Sequence, residues 1–319
     1  MNADKPAIAV LMAIYEPRLD WLKEQLDSLE AQTYPNLRLY IRDDCSSTVA
    51  FEDISRLVSE CVKSIPFEIK RNEKNLGSNR CFERLSMEAR EEYYAYCDQD
   101  DIWLPDKLAV LEACLRDTGA GLACSDVIPI DGAGQKLADS ITELRPRHTF
   151  RSGPNLAETL IYRNFVIGCT MLIRRDIAVS AVPFAKSMVH DHYLAFVCSV
   201  AHSIAVAPRP LVRYRIHGGN QTGILAHITT KAEYLERHLL PFCQRVEELR
   251  ERYPGAVPES AVRWANARMA NWNREAGGGM RLFALRGLNR TTSIFELTAP
   301  FMPECLFRAA VRLVRGGRI

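Results

Sequence analysis

Apolar residues recur along the first 125 positions in two alternating rhythms. Short runs at 7–14, 37–42, 66–70, 93–97 and 121–124 are apolar almost throughout and predict buried strands. Between them, 19–31, 51–63, 77–90 and 105–116 carry apolar residues at helical spacing, Leu22, Leu26 and Leu29 among them. Strand and helix in alternation predict an α/β fold whose parallel sheet has right-handed crossovers and helices on both faces. In such a sheet ligands bind beyond the carboxyl ends of the strands. There this chain concentrates its aspartates: Asp43 and Asp44 close the second run, and Asp98, Asp100 and Asp101 follow the fourth.

After Asp126 the rhythm changes. Residues 127–130 and 135–137, joined by Asp131-Gly132-Ala133-Gly134, predict a β-hairpin, and 139–154 reads as a loop carrying Arg145, Arg147, His148 and Arg151. A strand is expected at 167–173, a helix at 188–201 and short strands at 204–207 and 211–215. From about Ile228 the pattern is helical, interrupted at Pro254, at Gly277-Gly278-Gly279 and at Pro303. The expected division is a domain over 1–225, with halves at 1–126 and 127–225, followed by a helical region over 226–319.

Composition changes this picture little. The 319 residues are 47% hydrophobic and 25% charged, which is ordinary globular usage, and the net charge of +2 gives no reason to expect a nucleic-acid partner. Charge is nevertheless uneven. Residues 280–319 hold seven arginines against Glu296 and Glu304, a local excess of +5 that leaves −3 for the rest. Ten scattered cysteines with no C-x-x-C pair read as buried thiols in a reducing compartment. The apolar run at 7–14 is too short to span a membrane and lacks a signal-peptide cleavage pattern, so a cytoplasmic protein is expected.

Several constellations can carry chemistry. Asp98 and Asp100, two residues apart beyond a strand, point to the same side of an extended backbone, and their oxygens suit Mg²⁺ or Mn²⁺. Such an ion would neutralise charge on a departing nucleoside diphosphate. Asp101 reads as a cap for the helix near Pro105. Asp43 can accept a base N–H or bond a ribose hydroxyl, or serve only as a turn aspartate. In Asn75-Leu76-Gly77-Ser78-Asn79-Arg80 a helix N-terminus and Arg80 could meet phosphate oxygens, or Gly77 could simply let the chain enter the helix. Asp191, between His190 and His192 at a helix start, is a candidate general base for an acceptor hydroxyl, with a helix cap as the rival role. The polar run from Arg213 to Gly223 places His217 as a third metal ligand or diphosphate contact, with Arg215 against it.

Taken in order, these segments closely resemble family 2 glycosyltransferases of the GT-A fold, and within them the bacterial rhamnosyltransferase-like branch that builds surface polysaccharides. The resemblance covers about residues 6–223. It is carried by Ala13-Ile14-Tyr15-Glu16, Gln32-Thr33-Tyr34-Pro35-Asn36, Asp43-Asp44, Asn72-Glu73-Lys74-Asn75-Leu76-Gly77, Cys97-Asp98-Gln99-Asp100-Asp101-Ile102-Trp103, Gly168-Cys169-Thr170, His190-Asp191 and Tyr214-Arg215-Ile216-His217-Gly218. It implies a mixed Rossmann-like sheet flanked by helices, with a helical C-terminal extension. By the same resemblance Ala13, Tyr15 and Asp43 surround the base, Asp98 meets the ribose, Asp100 binds the divalent metal, Asp191 is the base of an inverting transfer, and His217 contacts metal or diphosphate. The implied donor is a dTDP- or UDP-sugar, with rhamnose from dTDP-rhamnose the leading sugar, and the acceptor is a glycan or lipid-linked glycan. The chain departs from the family pattern at Cys81, His192, Tyr193 and Ile216, and in reading Asp43-Asp44-Cys45-Ser46-Ser47 after its second strand.

Near the end of the chain, Leu306, Phe307, Ala310, Leu313 and Val314 alternate with Arg308, Arg312 and Arg315. This basic amphipathic helix suits an anionic inner-membrane surface; the alternative is a helix packed on its own domain with a solvated arginine face. Two rival functions are a silent sugar-nucleotide-binding scaffold and a nucleotidyltransferase. The latter wants a glycine-rich basic loop after the first strand, where Ala13-Ile14-Tyr15-Glu16-Pro17 stands.

Overall fold

Four of the apolar runs pair in parallel, in the order β3-β2-β1-β4: β1 (Ile8–Ile14), β2 (Leu37–Asp43), β3 (Phe67–Arg71) and β4 (Tyr93–Cys97). The crossovers are α1 (Leu19–Glu30), α2 (Phe51–Cys61) and α3 (Ser78–Glu88). The computed structural model describes residues 5–218 and 228–315. Ile8 through Met12 are almost fully buried because helices cover both faces of β1, which is why that run shows no polar alternation.

The next elements are β5 (Ile102–Trp103), α4 (Lys107–Thr118), β6 (Leu122–Cys124), β7 (Val127–Ile130), α5 (Ile141–Leu144) and α6 (Ala157–Tyr162). They are followed by β8 (Leu172–Arg174), α7 (Arg175–Ser180), α8 (His190–Ala201), β9 (Ile204–Val206) and β10 (Val212–Arg215). The main sheet has seven strands, β3-β2-β1-β4-β8-β6-β9, and is mixed rather than wholly parallel. β8 enters between β4 and β6 and runs antiparallel to both. β8 follows directly on a short 3₁₀ turn at Gly168–Thr170.

A second, three-stranded sheet, β5-β10-β7, was not expected from the pattern. The predicted hairpin at 127–137 shrinks to one antiparallel bridge, Ile130 with Lys136, while β7 pairs with β10 in parallel register. Asp101 does not cap a helix. The residue before α4 is Asp106, and Asp101 is buried beside β10, where its carboxylate accepts the Arg215 amide at 3.0 Å.

Two compact units emerge. The first comprises 1–156, 164–184 and 189–217, and the second 157–163, 185–188 and 218–319. In the second unit α9 (Lys231–Tyr234) starts from a capping box of Thr230 and Glu233. It is followed by a π-helical turn, α10 (Leu240–Arg252), α11 (Glu259–Trp272), α12 (Gly278–Ala284), α13 (Arg290–Thr298) and α14 (Glu304–Arg315). Gly278 lets α12 approach α11 closely: a Cβ there would stand 2.7 Å from the Ala270 carbonyl carbon.

Phe307 and Val311 of α14 are buried with Tyr234 and Leu239, so this helix packs on its own unit. Leu306 and Leu313, two turns apart, stay exposed together with Arg308 and Arg312. The side chains of Val314 and Arg315, and the polar run at 219–223, lie outside the described residues.

The second unit is tied by a buried ion pair, Arg268 with Glu296, in which both side chains are about 1% exposed and Tyr234 adds a hydroxyl donor to Glu296 at 2.8 Å. Glu296→Leu leaves the Arg268 guanidinium buried without its counter-charge. It should cost about 3–5 kcal/mol in chemical denaturation, and a loss below about 1 kcal/mol would show that the pair is not what holds these helices.

Candidate active site

The site forms where β1, β2 and β4 end. Ala13 is partly exposed and Tyr15 is 48% exposed just past β1, and Gln99 clasps the Tyr15 backbone from the β4 side. Its amide oxygen accepts the Tyr15 N–H at 2.8 Å and its NH₂ donates to the Tyr15 carbonyl at 3.0 Å. Glu16, at φ 44°, accepts from the amides and hydroxyls of Ser47 and Thr48, which holds its carboxyl down at about 2. The β1 and β2 loops are therefore laced together before any ligand arrives.

Asp43 is brought to this end but its side chain is fully buried. It accepts the Ser46 hydroxyl at 2.5 Å and lies 3.5 Å from the Arg71 guanidinium, so in this state it organises its own turn. Asp44 accepts the amides of Leu76 and Gly77 and the Asn72 side chain. That carboxylate takes the two amides just before α3, which begins at Ser78. Arg80 is likewise engaged, donating to both Glu83 oxygens at 2.6 and 2.8 Å. That contact, with a carboxylate of its own helix three residues on, uses Nη1 of a side chain that is 40% exposed.

Arg215 departs most from expectation. It is 1% exposed, and its guanidinium donates to the Asp100 carbonyl at 2.8 Å, to the carbonyls of Asp131 and Gly132 at 3.3 Å, and to Glu24. With these donors satisfied inside the protein, it clamps the Asp100 backbone rather than reaching a phosphate. Trp21, missed in the sequence, completes the clamp. Its indole donates to Gly132 at 3.1 Å and its ring lies 5.0 Å from that of His217. The available signal was an aromatic standing off the Leu22, Leu26, Leu29 stripe.

The clamp brings the two expected metal ligands together. His217 Nε2 lies 2.8 Å from Asp100 Oδ2, and both side chains are about a fifth exposed. Beneath them are Asp98 and Asp101, whose carboxylate oxygens lie within 4.8 Å of each other and of the Cys169 sulfur. Burial, followed by the charges of Asp101, Asp100 and Asp191, pushes Asp98 well above the usual carboxylate range, and burial with Asp100 lifts Asp101 to about 7. Among the described residues Asp101 Oδ2 has no hydrogen-bond partner. Carboxylate oxygens crowded against their own repulsion, with one imidazole, fit a hard divalent cation. The Cys169 thiol, held protonated by burial, does not serve as a ligand for one.

Asp191 occupies the first turn of α8, where the helix dipole favours a carboxylate. Its oxygens accept the His192 amide at 2.5 Å, the Gly168 amide at 3.0 Å and the Asn164 side chain at 3.3 Å. Asn164 is itself oriented by the Val166 amide at 3.0 Å. Burial lifts Asp191 to about 6 against these three donors. His190 packs on Phe82 and Tyr96 as a neutral imidazole, its pKa pulled down to about 3 by burial, and its Nε2 has no partner among the described residues. It is a packing residue.

The glycosyl transferase family 2 model matches residues 9–179, more than half of the chain. The chain belongs to glycosyl transferase family 2. A dTDP-rhamnosyl transferase of Shigella flexneri is 28% identical over 232 residues, 67% of this chain and 74% of the relative. Matches to two other curated relatives span only 36% and 56% of their lengths. Among solved structures, Staphylococcus aureus TarS 1-349 in complex with UDP-GlcNAc superposes with a TM-score of 0.62 at 14% identity, covering 98% of this chain and 92% of that one. The mannosyltransferase PcManGT from Pyrobaculum calidifontis, in complex with GDP-Man and Mn²⁺, gives 0.58 at 14% identity, covering 99% and 87%. These solved structures are GT-A glycosyltransferases, and the mixed sheet described above is of that fold.

A base is active only when deprotonated, so its elevated pKa sets a lower pH limit on a family 2 glycosyltransferase. If Asp191, whose pKa burial raises to about 6, is that base, kcat should level off about one unit above that pH and be about tenfold below its plateau one unit under it. A rate level down to pH 4.5, measured with the protein still folded, would exclude Asp191 as that base.

Proposed function

We propose that the chain transfers a sugar from a nucleoside diphosphate donor to a hydroxyl acceptor with inversion at the anomeric carbon. The observation that carries this reading is Asp191. It is a buried carboxylate, titrating near neutrality and oriented by three donors, on the strand-end side that also holds Asp98, Asp100 and Asp101. In this reading Asp191 takes the proton from the acceptor hydroxyl as its oxygen attacks the anomeric carbon and the bond to the diphosphate breaks. Direct displacement needs no covalent intermediate, and attack opposite the leaving group inverts the anomeric configuration. Tyr15 and Ala13 border the base, Asp43 accepts from it once its Ser46 turn opens, and Asp98 binds the ribose. Arg80, held by Glu83 through Nη1, meets a phosphate with its remaining donors, and Arg215 holds the Asp100 backbone. Asp100 and His217 hold the divalent cation, which supplies charge neutralisation to the leaving diphosphate.

The Shigella relative's name supports a dTDP-linked rhamnose as the donor, and the solved relatives bound to UDP-GlcNAc and to GDP-Man with Mn²⁺ support a nucleotide sugar and a metal. The matching acceptor is a glycan or lipid-linked glycan of bacterial surface polysaccharide. Among the described residues no helix is long and apolar enough to cross a membrane. Exposed Leu306 and Leu313, alongside Arg308 and Arg312 on α14, support contact with an anionic inner-membrane surface.

Nucleotide sugars screened with Mn²⁺ by thermal shift should raise Tm for one nucleotide class, with nucleoside diphosphate released once acceptor is added. Asp191→Asn should keep donor affinity within about threefold and lose kcat by at least about 10³-fold. Pyrophosphate release would instead mark nucleotidyl chemistry, and binding with no turnover would mark a scaffold. For the membrane, Leu306→Asp/Leu313→Asp spares the buried Phe307 and Val311. It should abolish sedimentation with vesicles of 30% anionic lipid (roughly the charge of an inner leaflet), and unchanged sedimentation would remove α14 from the membrane contact.

A further inference from the structure

Lys107, the first residue of α4, is completely buried. An ammonium there is costly on two counts. Desolvation of a buried charge costs several kcal/mol (order of magnitude) unless it is paired, and the first turn of a helix carries the positive end of the dipole. An apolar side chain over the Trp103 ring, where the ammonium rests, would fill the space without either penalty. Packing alone therefore does not account for the residue.

What the ammonium does is hold one carbonyl. Lys107 Nζ donates to the Cys169 oxygen at 2.6 Å, in the middle of the 3₁₀ turn Gly168–Thr170. The preceding residue of that turn, Gly168, gives its amide to Asp191 Oδ2 at 3.0 Å. The Cys169 sulfur, on the same residue Lys107 grips, stands within 4.8 Å of the Asp98 and Asp101 carboxylates. On its other side the turn presses on the start of α8, so closely that a Cβ on Gly168 would lie 2.9 Å from His190 Nε2 and 3.4 Å from the Asp191 Cβ. One three-residue turn thus touches both the acidic floor of the donor site and the candidate base.

We propose that Lys107 is a positioning residue for transfer: by gripping the Cys169 carbonyl it fixes the Gly168 amide, and through it the Asp191 carboxylate, relative to the floor formed by Asp98 and Asp101. The proposal rests on Asp191 being the base. Lys107 is fully buried and bonds a main-chain carbonyl, so its loss acts on the geometry of attack rather than on nucleotide binding.

The test uses the full chain with Lys107→Met, Lys107→Arg, Gly168→Ala and the double variant Lys107→Met/Gly168→Ala. Each is assayed for kcat and for affinity towards UDP and dTDP in the presence of Mn²⁺, and Asp191→Asn is run beside them. Lys107→Met should lower kcat by about 10²-fold, the scale of a small misplacement of reacting groups, while affinity for the nucleoside diphosphate stays within about threefold. Lys107→Arg, which keeps a cationic donor, should recover at least about tenfold of that loss. Gly168→Ala displaces the same turn from its other side. It should imitate Lys107→Met, and the double variant should fall well short of the product of the two losses, because both act through one element.

Wild-type-like kcat in Lys107→Met, a loss of nucleotide affinity matching the loss in kcat, or strictly multiplicative effects in the double variant would each overturn the proposal. If Lys107→Met does not fold, Lys107→Arg and Gly168→Ala still decide it through the same split between kcat and affinity. Should Asp191→Asn retain wild-type kcat, the base assignment itself fails. A dead Asp191→Asn beside an unaffected Lys107→Met would defeat the positioning role alone.

Discussion

Like charge crowded into a small volume is the constraint around which this molecule is arranged. Asp98, Asp100 and Asp101 follow one strand, Asp191 approaches from the first turn of α8, and each raises the cost of ionising Asp98. Carboxylates so disposed are tolerated only if the protein supplies donors or the ligand supplies cations. The fold does part of this itself. Arg215 is sealed beneath Asp100, and backbone amides serve Asp191 and Asp101. The charge left over is negative, and it faces the strand ends where a nucleotide sugar and its metal would be received.

The division of labour among the cations follows from their geometry. A guanidinium offers a planar fork of donors, and Arg215 spends its fork on three carbonyls and Glu24, fixing the backbone that carries Asp100. An ammonium is a compact point charge, and Lys107 directs it at a single carbonyl of the turn next to Asp191. His217 contributes an imidazole whose position is held by Trp21 on one side and Asp100 on the other. Structural cations lie inside, and the groups left with exposed surface are those suited to exchange partners with a ligand.

The second unit obeys the same rule with a different outcome. Arg268 and Glu296 are equally buried, but they neutralise each other and are closed over by Tyr234, Trp264 and Phe242. That balanced pair reads as a structural tie. The unbalanced cluster at the strand ends reads as a site.

Much was legible in the chain because burial writes itself into local pattern. Strands covered on both faces must be apolar throughout and helices covered on one face must repeat every three to four residues, so β1 to β4 and α1 to α3 could be placed within a few residues. The aspartates at strand ends, Asp191 at a helix start, and the pairing of Asp100 with His217 were accessible from residue type and resemblance. What the chain alone could not decide was where each charge would find its partner. Arg80 was read as a phosphate contact and Arg215 as lying against His217, yet one meets Glu83 in its own helix and the other is enclosed by residues from 24 to 132. Asp101 looked like a cap and became the acceptor for an amide 114 positions away. The insertion of β8, the small sheet β5-β10-β7 and the buried Lys107 escaped notice for the same reason. Periodicity records which faces are dry, a property of neighbours along the chain, whereas the partner of a polar group is set by which distant segments the packing brings within 3 Å, and only the tertiary structure fixes that.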